Sequence, residues 1–480
     1  MLSKWKERDL LWHGLPVLAL VIWGALCCTN NLWYDEAYSA ALVSQPWQRL
    51  IYITAVDAHS PFYYIPLKLL YELCGGGTQF FVLKLVSLLF MMGYMLLGKY
   101  YVYRLFDRRV SVWFMFFSLC APIMSVQAGN VRMYAMGLFF MTLTGLLMYD
   151  TYREPTGRKW FFLCLASIAT VYCHTFALIQ CFILYLLFFA VLLYKKQYER
   201  LKSFFFCGGI VAVVFSPWLW VTYKQMTMRM ANDVGSAVNR ANLSSLWDYC
   251  KEWFSAVETP ILPVAYLGVA LCVTMLVLGV IWTKKNHHYA VAFGVASLGL
   301  TVLVGFLVSV FINNCFMGRY VFPGFGFLML FYAVGMVALK SKCMKGVIVA
   351  VALLCFGLQY QSEVALEYDK GLDAYEDFWE ENVTEEDVMI GPYTHTIFLN
   401  VYHPEITYYI LGYKNYKLPF QNTQALVDYN ELKDVKGNIW YVGFGDERPH
   451  QLEHLCDYEE KIRFQHMYYD FVIYQLDWRE

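Results

Sequence analysis

The chain has 480 residues, of which 59% are hydrophobic and only 16% charged, against about 25% charged in an ordinary soluble domain. That deficit excludes an ordinary soluble enzyme, and a formal net charge of −1 offers no basic surface for nucleic acid. Aromatic residues reach 19%, as expected where rings gather at membrane–water interfaces.

A helix needs about 20 apolar residues to cross the hydrocarbon core. Lys4, Lys6 and Arg8 precede a long apolar run without an A-x-A-like cleavage site, which reads as an uncleaved first span. Apolar runs at 10–29, 79–103, 110–127, 132–150, 160–176, 178–194, 203–221, 260–282, 289–312, 321–339 and 346–361 predict about 11 transmembrane helices. Between 160 and 194 one apolar stretch must turn sharply near His174–Phe176. The basic clusters Lys4/Lys6/Arg8, Arg104/Arg108/Arg109, Arg153/Arg158/Lys159, Lys195/Lys196/Arg200/Lys202, Lys284/Lys285 and Lys340/Lys342/Lys345 all fall on one side. The positive-inside rule makes that side the cytoplasm. The expectation is a multi-pass cell-membrane protein with a cytoplasmic N-terminus and an extracytoplasmic C-terminal domain.

Two outward segments are too long for simple turns. Residues 30–78 are rich in Trp, Tyr and Pro, with helices expected near 36–48 and 60–73 lying in the interface plane. Residues 222–259 are more polar and include Asn232, Asp233 and Arg240. After 360 the composition turns charged and mixed. Strands are expected at Val388–Gly391, Asn438–Gly443 and Tyr468–Gln475, and helices at 422–433 and 448–456. Residues 361–480 therefore read as a small α/β domain following an all-α membrane domain over 1–360. The 14 cysteines lie mostly in apolar runs with no C-x-x-C spacing, and read as small hydrophobes.

Asp35 and Glu36 follow the first span, in Trp33-Tyr34-Asp35-Glu36-Ala37-Tyr38. Such a pair fits solvated interfacial charges. It equally fits a site in which an aromatic frame holds a partly desolvated carboxylate for base work. In Asp57-Ala58-His59-Ser60-Pro61-Phe62-Tyr63-Tyr64, Asp57 and His59 fit a shared metal, a substrate contact, or a helix-capping acid beside an interfacial His. Arg132, before Met133-Tyr134, and Arg319, before Tyr320, stand at the outer ends of spans, against the positive-inside trend. Snorkelling accounts for them, and so does joint binding of a lipid phosphate, which a guanidinium grips well. His174 reads as a polar anchor or as a ligand. His450-Gln451-Leu452-Glu453-His454 matches the H-x-x-E-H zinc-peptidase pattern, which we take as a chance match. No G-x-G-x-x-G, Walker loop or D-x-D is present, so a nucleotide-sugar or ATP site has no support.

In their order along the chain these segments resemble the bacterial glycosyltransferase family 39-type proteins, near the protein O-mannosyltransferase and aminoarabinose-transferase group with the GT-C fold. The residues that carry the resemblance are Trp33-Tyr34-Asp35-Glu36-Ala37-Tyr38, Asp57 to Tyr64, Arg132-Met133-Tyr134-Ala135, Cys173-His174-Thr175-Phe176-Ala177, Ser216-Pro217-Trp218-Leu219, and Gly318-Arg319-Tyr320 with Pro323. It covers about residues 10–340. Two places depart from the family's pattern: His59-Ser60-Pro61 stands for H-P-P, and Gly129-Asn130-Val131 lacks the family's acid.

The resemblance implies a polyprenyl-phosphate-linked sugar donor and an acceptor hydroxyl on a protein, lipid or polysaccharide outside the membrane. Asp35 would be the general base of an inverting transfer, and Glu36 would bind acceptor or sugar hydroxyls. Arg319 and Arg132 would neutralise the departing lipid phosphate, with Asp57, His59, Tyr63, Tyr134, His174 and Tyr320 as substrate contacts. No nucleotide is needed, because the leaving group is already a phosphate ester, and a divalent metal is compatible with the residues. The competing expectation is a lipid-linked oligosaccharide flippase or transporter, which favours mid-span charges and related halves.

Overall fold

A computed structural model describes residues 2–57, 59–77, 79–231, 241–255, 261–286, 288–312, 315–411, 422–445, 447–448, 450, 452–466 and 469–479. Asn232, Asp233 and Arg240 of the second long loop lie outside the described residues. The chain divides into two compact units. One comprises residues 1–27, 58–63 and 84–363, the other 28–57, 64–83 and 364–480. The first long loop thus packs largely with the tail.

The first unit is a helix bundle. Its helices include Leu2–Cys27, Arg108–Cys120, Pro122–Gly129, Tyr134–Arg153, Gly157–Cys173, Thr175–Tyr194, Tyr198–Ala231, Leu262–Asn286, Tyr289–Phe311 and Phe325–Ala338. With Phe81–Leu96 and Lys342–Glu367, helices form at all the expected spans, but Tyr134–Arg153 and Gly157–Cys173 fall short of a full apolar span, so the count is lower than the 11 expected. Among the described residues, 8 helices are long and apolar enough to cross a membrane, or up to 9 if the pair Arg108–Cys120 and Pro122–Gly129 counts as one span bent by 71°. The bend falls at Ala121, where Pro122 starts a new helix because it has no N–H to continue the old one. Leu89, Phe206 and Val213 leave large apolar surfaces uncovered, as helices surrounded by lipid require. One buried carboxylate is fully engaged: Asp150 accepts from Tyr101 Oη at 2.9 Å, from Arg104 and from Lys159 Nζ at 3.0 Å, tying three helices together.

The second unit combines the loop helices Tyr34–Ser44, Trp47–Val56 and Tyr64–Leu73 with helices Gly371–Asn382 and Tyr393–Tyr402 and a six-stranded sheet. The strands are β1 (Val388–Gly391), β2 (Thr407–Leu411), β3 (Thr423–Leu426), β4 (Ile439–Phe444), β5 (Cys456–His466) and β6 (Tyr469–Trp478), in spatial order β3-β2-β1-β4-β6-β5. β1 to β4 pair in parallel, and β5 and β6 add an antiparallel hairpin to β4. Val388, Ile390, Tyr441, Val472 and Tyr474 form part of its core.

Two expected helices do not form. Residues 422–433 supply β3 and a short 3-10 turn, Tyr429–Asp434, because Thr423–Leu426 completes the parallel edge against β2. In 448–456 the described residues make turns that lead into β5, whose pairing with β6 outweighs local helical preference.

Candidate functional site

The residues singled out from sequence fall into both units. Asp35, Glu36 and Asp57 belong to the unit with the sheet, and His59, Tyr63, Arg132, Tyr134, His174, Arg319 and Tyr320 to the helix bundle.

In the bundle, chain breaks rather than helix middles present the charged groups. After the bent pair ends at Gly129, the Arg132 amide donates to the Asn130 carbonyl at 2.7 Å in a three-residue turn. Ser87 Oγ donates to the same carbonyl at 2.5 Å and lies 3.3 Å from the Tyr63 hydroxyl. Arg132 is buried, and its Nη2 donates to His59 Nε2 at 2.9 Å. The His59 ring stacks on His174 with centroids 5.8 Å apart.

His174 occupies the break between Gly157–Cys173 and Thr175–Tyr194, outside both helices. Its Nδ1 accepts from the Phe176 amide at 3.2 Å, so the imidazole itself caps the second helix. Tyr134 and Tyr320 flank it at 5.8 and 5.0 Å. Through His59 the imidazole stands one ring away from the Arg132 guanidinium, and Tyr320 joins it to the turn that carries Arg319.

Arg319 leads the 3-10 turn Gly318–Gly324. Its Nη1 lies 3.8 Å from Glu252 Oε1, both side chains being largely buried. Glu252 and Trp253 come from the helix Leu243–Phe254, and Trp253 Nε1 donates to the Gly318 carbonyl at 2.8 Å. A Cβ on Gly318 would lie 2.2 Å from Glu252 Oε2, so only glycine admits the carboxylate here.

In the second unit, Asp35 lies in the first turn of Tyr34–Ser44, where the helix dipole favours negative charge. Glu36 is buried and its Oε2 accepts from the Trp33 amide at 3.1 Å, closing the start of its own helix. The far end is closed by buried Lys68, whose Nζ donates to the carbonyls of Val43 at 3.0 Å and Gln45 at 2.7 Å. Asp57 stands at the C-terminal end of Trp47–Val56, where an acid opposes the helix dipole. Tyr38, three residues from Asp35 on the same helix, has its phenol pKa pushed well above the ordinary value by burial, then by Asp57, Tyr393, Tyr64 and Tyr34. Asp57 thus shares one neighbourhood with Tyr38.

Among the described residues no three His, Cys, Asp or Glu side chains gather as a metal group. With His59 Nε2 facing a guanidinium, only its Nδ1 could serve a cation. His450 Nδ1 and Glu453 Oε1 of the peptidase-like stretch make an exposed 2.7 Å pair, and Gln451 lies outside the described residues.

Sequence reasoning passed over Glu252, Lys68 and Lys84. Lys84 is wholly buried in the helix Phe81–Leu96, three residues from Ser87 on one face. A single lysine in an apolar run barely moves hydropathy, but its expense within a membrane is the signal that finds it.

Neither a family model nor a curated protein matches the chain. Solved structures do. The crystal structure of ArnT from Cupriavidus metallidurans in the apo state is similar with TM-score 0.65 at 13% identity, over 96% of this chain and 97% of that one. ArnT from the same organism bound to undecaprenyl phosphate gives TM-score 0.65 at 13% identity, over 97% and 98%. The Archaeoglobus fulgidus oligosaccharyltransferase in the apo form gives TM-score 0.49 at 12% identity, over 90% of this chain and 69% of that one. At these identities the likeness concerns fold. The chain has the GT-C-like fold of ArnT over nearly its whole length, a helical membrane part with a small sheet-containing domain.

Proposed function

We propose that this chain is a membrane glycosyltransferase that moves a sugar from a polyprenyl-phosphate-linked donor to an acceptor hydroxyl on the outer face of the membrane. The observation that carries the reading is the cluster around His174, whose ring stacks on the His59 that holds Arg132 and packs against Tyr320, the neighbour of Arg319. Two guanidinium groups held in a buried, apolar setting suit a phosphate. The shared fold with ArnT, one of whose structures holds undecaprenyl phosphate, supports the same reading.

In the proposed reaction Asp35 removes the proton of the acceptor hydroxyl as its oxygen attacks the anomeric carbon. The bond from that carbon to the phosphate oxygen breaks, polyprenyl phosphate leaves, and the configuration inverts. A positioned base contributes typically about 10²–10⁴-fold. Arg132, Arg319 and Lys84 balance the phosphate charge, an electrostatic role in which one preorganised donor is worth about 10²–10³-fold. Glu36 acts mainly by holding the start of the Asp35 helix. Asp57, with Tyr38 near it, contacts sugar or acceptor hydroxyls, while within the bundle His59, His174, Tyr134, Tyr320 and Tyr63 hold the arginines in place.

The test is a proteoliposome assay with undecaprenyl-phosphate-linked sugar and cell-envelope extract as acceptor. Release of undecaprenyl phosphate should depend on the extract and vanish in Asp35→Asn. Movement of the lipid across the bilayer with no sugar transfer would establish a flippase instead.

A further inference from the structure

We infer that Tyr402, in the C-terminal domain, is a positioning residue for the transfer reaction, bracing the segment of chain that leads into the Asp35 helix. The inference rests on the general-base reading of Asp35. Residues 28–33 form neither helix nor strand, and Trp33 gives its helix no side-chain cap. Apart from the Glu36 carboxylate on the Trp33 amide and the Phe81 amide on Asn30 Oδ1, what holds this segment comes from far along the sequence. The Tyr402 hydroxyl donates to the Asn30 carbonyl at 3.2 Å and accepts from the Leu32 amide at 3.1 Å. Asn31 Nδ2 donates to the carbonyls of Glu367 at 3.1 Å and Asp369 at 2.9 Å. Thr29 Oγ1 donates to Glu367 Oε2 at 2.9 Å.

One phenol therefore fixes two backbone groups on either side of Asn31, four residues before Asp35. Tyr402 ends the helix Tyr393–Tyr402, which packs against the Asp35 helix Tyr34–Ser44. Its ring meets Phe80 edge-on at 5.3 Å and Phe398 at 5.4 Å, so it has little freedom to move. A misplacement near 1 Å of a reacting group is enough to slow a reaction about 10²-fold. The two hydrogen bonds set that placement, while the ring packing serves stability.

Tyr402→Phe separates the two roles, since it keeps the ring and removes both hydrogen bonds. In the proteoliposome assay kcat should fall about tenfold per folded molecule, with KM for undecaprenyl-phosphate-linked sugar unchanged within about twofold. Tyr408→Phe is the control: its hydroxyl donates to the His403 carbonyl within the same domain at 2.8 Å, and turnover should match the wild type. Wild-type kcat in Tyr402→Phe, or an equal loss in Tyr408→Phe, overturns the inference. Asp35→Asn is run beside them. If it turns over normally the base reading fails, whereas an inactive Asp35→Asn with a fully active Tyr402→Phe removes only the role of Tyr402.

Discussion

Arg132 Nη2 donates to His59 Nε2 across 2.9 Å. A guanidinium can only donate, so the bond requires the lone pair of that nitrogen. His59 thus offers the buried arginine an acceptor that adds no negative charge of its own.

Replacing Arg132 with Lys keeps the charge and loses the planar fork that reaches His59. Turnover should fall about 10²-fold, the usual effect of losing one preorganised donor. Undecaprenyl phosphate release under single-turnover conditions measures it, and a change below threefold would make the pair structural only.

Gly318→Ala forces a methyl onto Glu252, whose Oε2 lies 2.2 Å from the position that the new Cβ would occupy. The carboxylate must then withdraw from Arg319. Overpacking of this kind costs about 1–3 kcal/mol, so the melting midpoint should drop together with turnover. Glu252→Gln, by contrast, should reduce turnover with a smaller change in midpoint.

The adjacent carboxylates of the first loop should respond in opposite ways. Glu36→Gln retains an acceptor for the Trp33 amide and should keep most activity, whereas Glu36→Ala loses the cap and about 1 kcal/mol of stability. Asp35→Asn should abolish transfer with the fold intact. Comparing kcat and thermal midpoint across the three variants tests this, and equal loss in Glu36→Gln would return Glu36 to the chemistry.

Acid sensitivity of the sheet-containing unit should trace to Asp387. Burial alone would raise its pKa, but donation from Trp440 Nε1 at 2.9 Å, the Asn438 amide at 2.7 Å and Thr384 outweighs it and holds the carboxyl below its ordinary value. A lowered acid contributes stability above its unfolded pKa near 3.9, and that contribution is lost as pH falls through the lower folded value. Asp387→Asn should therefore cost about 2 kcal/mol at pH 7. It should also flatten the fall in thermal midpoint below about pH 4, measured by calorimetry.

Much of the membrane part was legible because span length and apolar composition are local properties. Even the turn at His174 could be expected, since one apolar run had to reverse there. The sheet was harder to read. Thr423–Leu426 becomes a strand only because β2 offers it an edge, and the stretch before Cys456 yields to a hairpin whose other arm lies beyond it. At the site, Arg132 and Arg319 showed themselves as charges placed against the trend, and His174 as a polar residue where an apolar run had to turn. Glu252 and Lys68 did not, because an acid or a lysine in an amphipathic loop helix has an ordinary place until its partners are known.

The hydrogen bonds that anchor residues 29–32 join groups 336 to 372 positions apart. During synthesis at about 5–20 residues per second, the first loop waits roughly 17–70 seconds for the segment that steadies it. Such distant closure is slow to nucleate and arrives late. The carboxylate helix consequently completes its bracing only once the last part of the polypeptide has been made, and a prematurely terminated chain inserts its early helices without it.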